Sequence, residues 1–169
     1  MRVASMRVLG IDPGFGRTGY GVIDAVTGRQ KALEYGCIET LPTDDMGRRL
    51  HDIFTAVQEI IEKYHPDVMA VEQLFFNRNV TTAFKASEAR GVVVLAAEMA
   101  GIPQVSYTPI QVKQAVVGYG RAEKKQVQEM VKVLLGLSTI PKPDDAADAL
   151  AIAIAHAQAG AFESRIPKR

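Results

Sequence analysis

Arg7-Val8-Leu9-Gly10-Ile11-Asp12-Pro13-Gly14-Phe15-Gly16-Arg17-Thr18-Gly19-Tyr20-Gly21 decides the fold. Arg7 to Asp12 is an apolar run that reads as a strand ending on an acid. A glycine-punctuated turn then sends the chain back as a second strand, Thr18 to Val26, and Thr27-Gly28-Arg29 leads into a third, Gln30 to Thr40. Two short connections bearing glycine favour an antiparallel three-stranded meander.

Outward from the meander the period changes. Asp44 or Asp45 can cap a helix whose apolar stripe is Met46, Leu50, Ile53, Phe54, Val57, Ile60, Ile61 and Tyr64. His65-Pro66-Asp67 ends it, and Asp67 to Gln73 reads as a short buried strand. A helix from about Thr81 to Ala100, a strand from Ile102 to Tyr107 and a helix from Pro109 to Val117 follow. Two more helices are predicted, Ala122 to Leu135 and Asp144 to about Ala159, joined by a proline-marked connector. A meander followed by two strand–helix crossovers predicts an α/β domain: a five-stranded mixed sheet with helices on both faces. Residues 6–160 are expected to form this one domain, with residues 1–5 and 161–169 as disordered extensions. Met6-Arg7-Val8 repeats Met1-Arg2-Val3, which makes Met6 a candidate start.

Four acids stand where that topology can gather them. Asp12 ends one apolar run and Glu72 ends another, Val68-Met69-Ala70-Val71; Asp145 and Asp148 share a face of the last helix. Each has an ordinary explanation alone. Asp-Pro-Gly is good turn chemistry, a strand-end glutamate is usually solvated, and acids in a first helical turn suit capping and the macrodipole. Together they form a set of hard oxygen ligands suited to Mg²⁺ or Mn²⁺. Two such ions about 4 Å apart hold the attacking and leaving oxygens of a phosphoryl transfer. Gly14, Gly16 and Gly19 would let a phosphate approach bare backbone.

Other residues suit a polyanionic substrate. Phe75 and Phe76, in the loop Leu74-Phe75-Phe76-Asn77-Arg78-Asn79 after Glu72, can stack on bases or wedge between them, or fold back into the core. Arg78 in that loop, Lys113 on a short helix, and Lys124 and Lys125 heading another are candidate phosphate contacts, though such side chains are usually solvated surface. The stripe Ala83-Ala86/Ser87-Arg90-Val93/Val94 reads most simply as core packing and also suits a close helix–helix dimer contact. His156 reads as structural.

Composition excludes more than it suggests. The 20 basic and 19 acidic side chains give a net charge of +1, so no bulk field advertises a partner, although four clustered acids would mask a basic surface. Cys37 is the only cysteine, which excludes an internal disulfide and fits a reducing cytoplasm. With His51, His65 and His156 scattered, a sulfur–imidazole Zn site is not expected. No apolar run approaches the roughly 20 residues that span a bilayer.

The chain resembles the RuvC-type Holliday junction resolvases, crossover junction endodeoxyribonucleases of the ribonuclease H-like superfamily, from Met6 to His156. The likeness rests on Gly10-Ile11-Asp12-Pro13-Gly14 with Thr18-Gly19-Tyr20-Gly21, Val71-Glu72-Gln73, Ala89-Arg90-Gly91, Gln111-Val112-Lys113-Gln114, Ala122-Glu123-Lys124 and Asp145-Ala146-Ala147-Asp148-Ala149-Leu150-Ala151. It implies a ribonuclease H-like fold and metal-dependent symmetric nicking of two opposed strands of a four-way DNA junction, in recombination and repair. Asp12, Glu72, Asp145 and Asp148 would be the catalytic acids binding two Mg²⁺, with Mn²⁺ able to substitute. Phe75 would stack at the crossover, and Lys113 and Lys124 would lie at the scissile strand. A homodimer acting with the RuvA and RuvB branch-migration proteins is implied. Asp144 beside Asp145, and Phe76 beside Phe75, leave those two assignments open.

Three other readings compete. An RNA–DNA hybrid hydrolase could use the same acids. An actin-like kinase would need two domains and a cleft, for which 169 residues are too few. A non-catalytic junction-binding module would retain four carboxylates that repel one another without a cation.

Overall fold

In a computed structural model, residues 5–73 and 79–163 are described, the side chains of the last three of these excepted. The element order is β1 (Ser5–Asp12), β2 (Arg17–Val26), β3 (Arg29–Glu39), α1 (Met46–Tyr64), β4 (Val68–Glu72), α2 (Val80–Met99), β5 (Gln104–Tyr107), α3 (Pro109–Val117), α4 (Lys124–Leu134) and α5 (Asp144–Glu163). This is the predicted order. The ordered elements begin one residue earlier and run three residues later than the expected 6–160 domain, because Ser5 pairs with Val26 and α5 continues past Ala159.

The five strands form one mixed sheet in the order β3-β2-β1-β4-β5. β1 pairs antiparallel with β2 and parallel with β4, and β4 pairs parallel with β5. The period-2 alternation of a strand sends neighbouring residues to opposite faces. On one face Leu9, Ile11, Val22, Met69 and Val71 pack with Ile53 and Val57 of α1 and Ala89 and Val93 of α2. On the other, Val8, Ile23, Val68 and Ala70 pack with α5 residues including Leu150 and Ile154, and with Val127 and Val131 of α4.

Local chemistry sets the helix ends. Asp45, rather than Asp44, caps α1 by accepting from the Arg48 N–H at 2.8 Å. Thr108 and Gln111 form a capping box around Pro109 at the start of α3. The buried residues of α2 are Ala89, Val93, Ala96 and Ala97, so of the small-residue stripe read from the sequence Val93 is in the core, Ala83, Ala86, Arg90 and Val94 are half-buried and Ser87 is exposed. The outward side instead presents Phe84, Gly91, Leu95 and Met99.

Glycine sets the distance between α5 and the sheet. A Cβ on Gly10 would overlap the Ala149 carbonyl oxygen, and one on Gly19 would overlap the Asp145 carbonyl oxygen. The alanine face of α5 therefore lies directly on the backbone of β1 and β2. Among the described residues, no helix is long and apolar enough to cross a membrane.

Candidate active site

Sheet register brings the first two acids together. Ile11 lies beside Val71 in the parallel β1–β4 ladder, so Asp12 and Glu72 end adjacent strands on the same side. That is the carboxyl end of parallel strands, where open α/β sheets bind ligands. Across β2, Asp12 pairs with Gly19. Since Gly19 also admits the α5 backbone at Asp145, one contact carries the first turn of α5 over Asp12.

The four carboxylates share one field. Burial, then the Glu72 charge and a hydrogen bond with Glu72, then the charges of Asp148 and Asp145 push the Asp12 carboxyl up to about 9. Asp148 is also raised, by burial first, with Lys124 opposing and Glu72 and Asp145 adding to the rise. As the side chains stand, no three acid, histidine or cysteine groups among the described residues are gathered closely enough to enclose an ion. Protein cations lean on the helical pair instead. Arg17 Nε lies 3.3 Å from Asp145 Oδ2, and Lys124 Nζ lies 3.7 Å from Asp148 Oδ2 and 3.5 Å from Asp144 Oδ2.

Asp144 and Asp145 differ in their surroundings. Asp144 is exposed and held by Lys124 and by Lys142 Nζ at 3.4 Å, with its carboxyl lowered chiefly by the Lys124 charge. Asp145 is among the charges that act on Asp12.

The remaining candidates separate. Lys124 is brought to the acids. For its ammonium, burial works against the charge, yet Asp148 and Asp144 outweigh it and the pKa is raised. Lys125 instead lines a shallow groove of about 450 Å³ with Val117, Glu129, Met130 and Val133. Lys113 is half-buried on α3, which packs against α5. Phe75, Phe76 and Arg78 lie outside the described residues. The glycine reading needs correction: Gly19 serves helix packing, and Gly14 serves the turn, its carbonyl accepting from Thr18 Oγ1 at 2.6 Å. His156 hydrogen-bonds Tyr107 through Nδ1 at 2.7 Å, in keeping with a structural part.

Two arginines escaped the sequence reading. Arg17 bridges Asp145 and Glu39, the latter at 3.5 Å. Arg90 donates from Nη2 to Ser106 Oγ at 2.6 Å and from Nε to the Glu72 carbonyl at 3.4 Å, tying the end of β4 to β5. A lone arginine on the inward side of α2 was the available signal for Arg90. Arg17 gave none, because its partner lies more than a hundred residues away.

Comparison with known proteins identifies the family. A family model described as crossover junction endodeoxyribonuclease RuvC matches residues 8–156. The crossover junction endodeoxyribonuclease RuvC of Brevibacillus brevis is 58% identical over 159 residues, covering 94% of this chain and 96% of its own. The solved structure of Thermus thermophilus RuvC in complex with Holliday junction substrate superposes with a TM-score of 0.89 at 40% identity, covering 94% and 97% of the two chains. The yeast mitochondrial Holliday junction resolvase Ydc2, at a TM-score of 0.65 and 17% identity over 95% of this chain and 83% of its own, shares the fold. Matched over most of its length by both sequence and structure, the chain belongs to the crossover junction endodeoxyribonuclease RuvC family.

Proposed function

We propose that the protein resolves four-way DNA junctions in recombination and repair by metal-dependent nicking of two opposed strands. What supports this is the match to the crossover junction endodeoxyribonuclease RuvC family over residues 8–156, together with the electrostatic influence of Glu72, Asp145 and Asp148 on the Asp12 carboxyl. The donor set fits divalent metal, since every group is a hard oxygen and the most buried one is driven toward protonation by burial and then by its acidic neighbours. When bound, two Mg²⁺ ions, or Mn²⁺ in their place, would activate water and neutralise charge on the phosphate.

The protein's own groups divide the remaining work. Asp12 and Glu72, fixed by sheet register, would hold the site's rigid side. Asp145 and Asp148 would complete it from α5, each ceding a protein cation. Lys124, beside Asp148, would meet a phosphate oxygen, and Lys113 would contact the same strand. Phe75 is the proposed stacking residue at the crossover, with Phe76 and Arg78 beside it.

Symmetric nicking calls for two sites, and the outward face of α2 supports a homodimer. Phe84 (60% exposed), Leu95 (50%) and Met99 (64%) lie along it, with Gly91 open to close approach. Action beside RuvA and RuvB completes the reading.

The test is a synthetic four-way junction labelled on each strand in turn, incubated in Mg²⁺ and in EDTA beside linear duplex and RNA–DNA hybrid. Paired nicks at symmetry-related positions, on the junction and with metal, are expected. Cutting of the hybrid alone would make the protein a ribonuclease, and tight junction binding without cutting in Mg²⁺ or Mn²⁺ would leave a binding module.

A further inference from the structure

A second group of cations stands on the other flank of the acids. Residues 13–16 follow Asp12 directly and include Phe15. The Arg49 guanidinium lies 5.0 Å from the centre of the Phe15 ring, and the Lys85 ammonium lies 5.3 Å from it. Arg49 comes from the first turn of α1 and Lys85 from the start of α2, both on the sheet face opposite α4 and α5.

Arg49 is held in place rather than waving in solvent. Its Nε donates to Thr40 Oγ1 at 2.8 Å, Thr40 Oγ1 donates to the Phe15 carbonyl at 2.5 Å, and the Thr40 N–H donates to the Gly16 carbonyl at 3.0 Å. A Cβ on Gly16 would come within 3.3 Å of Arg49 Nη2.

Electrostatically the arrangement is unfavourable for the protein alone. The positive end of the helix dipole disfavours cations, yet the first turn of α1 holds Arg48 and Arg49 and no acid. Arg48 is offset by Asp52 at 3.1 Å. Neither Arg49 nor Lys85 has an ion pair among the described residues, and the two share one ring. Cation–π attraction of about 1 kcal/mol each does not remove the charge.

We propose that Arg49 and Lys85, gathered over Phe15, clamp backbone phosphates of the DNA strand that crosses the metal site, on the flank opposite Lys124. This rests on the junction-nuclease reading and deepens it. A phosphate is the ligand because the donors are charged and fork-shaped or compact, and because the ring is already taken up by cations and so is a poor stacking platform. Small free anions would be repelled by the four acids nearby. A polyanion gripped on both flanks is not, since its many contacts outweigh that repulsion. The contact is independent of sequence.

The test is the salt dependence of junction binding in EDTA, where no cutting occurs. Wild type, R49Q/K85Q, the charge-keeping R49K/K85R and R29Q, at the distant β2–β3 hairpin, are compared on four-way and linear DNA. Losing two phosphate contacts should reduce the slope of log K against log salt by about two. R49K/K85R and R29Q should keep the wild-type slope. An unchanged slope in R49Q/K85Q overturns the clamp, as does an equal loss in R49K/K85R, which would mean lost packing rather than lost charge. Wild-type binding with no preference for the junction would sink the resolvase reading, while the slopes on linear DNA would still decide the clamp.

Discussion

The strand-end half of the site and its helical half differ in how their charges are balanced. Asp12 and Glu72 sit side by side at the ends of β1 and β4, and the charges acting on Asp12 are all acidic. Asp145 and Asp148 ride on the first two turns of α5, and each has a cation at hand, Arg17 for one and Lys124 for the other. The sheet cannot yield without breaking ladder hydrogen bonds, so its two acids keep their repulsion. The helical acids face long, exposed side chains that can swing in and out. On the proposed reading, a divalent cation would therefore relieve Asp12 most, and the cations beside the helical acids would compete with it.

The sharpest way to break this contrast is Asp12→Asn. Cleavage should fall by at least about a thousandfold, as for other groups that act only in the transition state, with junction binding largely kept. The metal-free protein should melt a few degrees higher, since about 1 kcal/mol shifts a domain of this size by roughly 2–4 °C. A lower melting temperature would show that Asp12 supports the fold by more than its repulsion costs.

Next in size is the contact that joins the two halves. Gly19→Ala places a methyl group against the Asp145 carbonyl, where backbone must move. Overpacking of this kind costs about 1–3 kcal/mol, measurable by urea denaturation, and should lower cleavage by moving Asp145. Stability and activity both at wild-type levels would show that α5 docks without this close approach. As a reference, Leu150→Ala, fully buried on the same helix, should cost about 2–5 kcal/mol.

The third comparison is with pH. The folded Asp12 carboxyl sits near 9 and the unfolded one near 3.8. Between those values the folded state binds a proton that the unfolded chain has released, so ν for the native state exceeds that for the unfolded state. The metal-free protein should therefore lose stability as pH rises from about 4 to about 9. Over the same window Mg²⁺ should bind more tightly and displace a proton. Calorimetry in two buffers of different ionisation enthalpy reads that proton directly; identical heats of binding would refute it.

The smallest expected effect is Arg17→Gln. Its pairs with Asp145 and Glu39 are exposed, and such pairs contribute about 0–1 kcal/mol. Mg²⁺ should bind up to about fivefold more tightly when this competitor is gone. Lys124→Gln should also ease metal binding but slow cleavage if, as proposed, Lys124 contacts the substrate. Equal cleavage losses in both variants would erase the distinction between a competing cation and a substrate cation.

Legibility followed the range of the physics involved. Strand and helix order were readable because period 2 and period 3.6 are local, and breakers such as His65-Pro66-Asp67 and Pro109 mark ends within a few residues. The strand-end acids were readable because an apolar run stopping on a carboxylate is itself a local anomaly. Gly19 was misread as a phosphate approach, since only the packed helix shows what fills the space above it. Lys124 and Lys125 look alike in sequence, but helical rotation sends one to Asp148 and the other to the groove beside Met130.

The order of residues alone thus specified the elements, the mixed sheet and which acids could serve, because these depend on neighbours a few positions apart. Packing decided that Asp144 is exposed beside Lys124 and Lys142, that Arg17 and Lys124 counter the helical acids, and that Arg49 and Lys85 meet over Phe15. Those outcomes depend on distances between elements far apart in the chain. Close contact between α5 and a glycine-lined sheet, and not any local propensity, sets them.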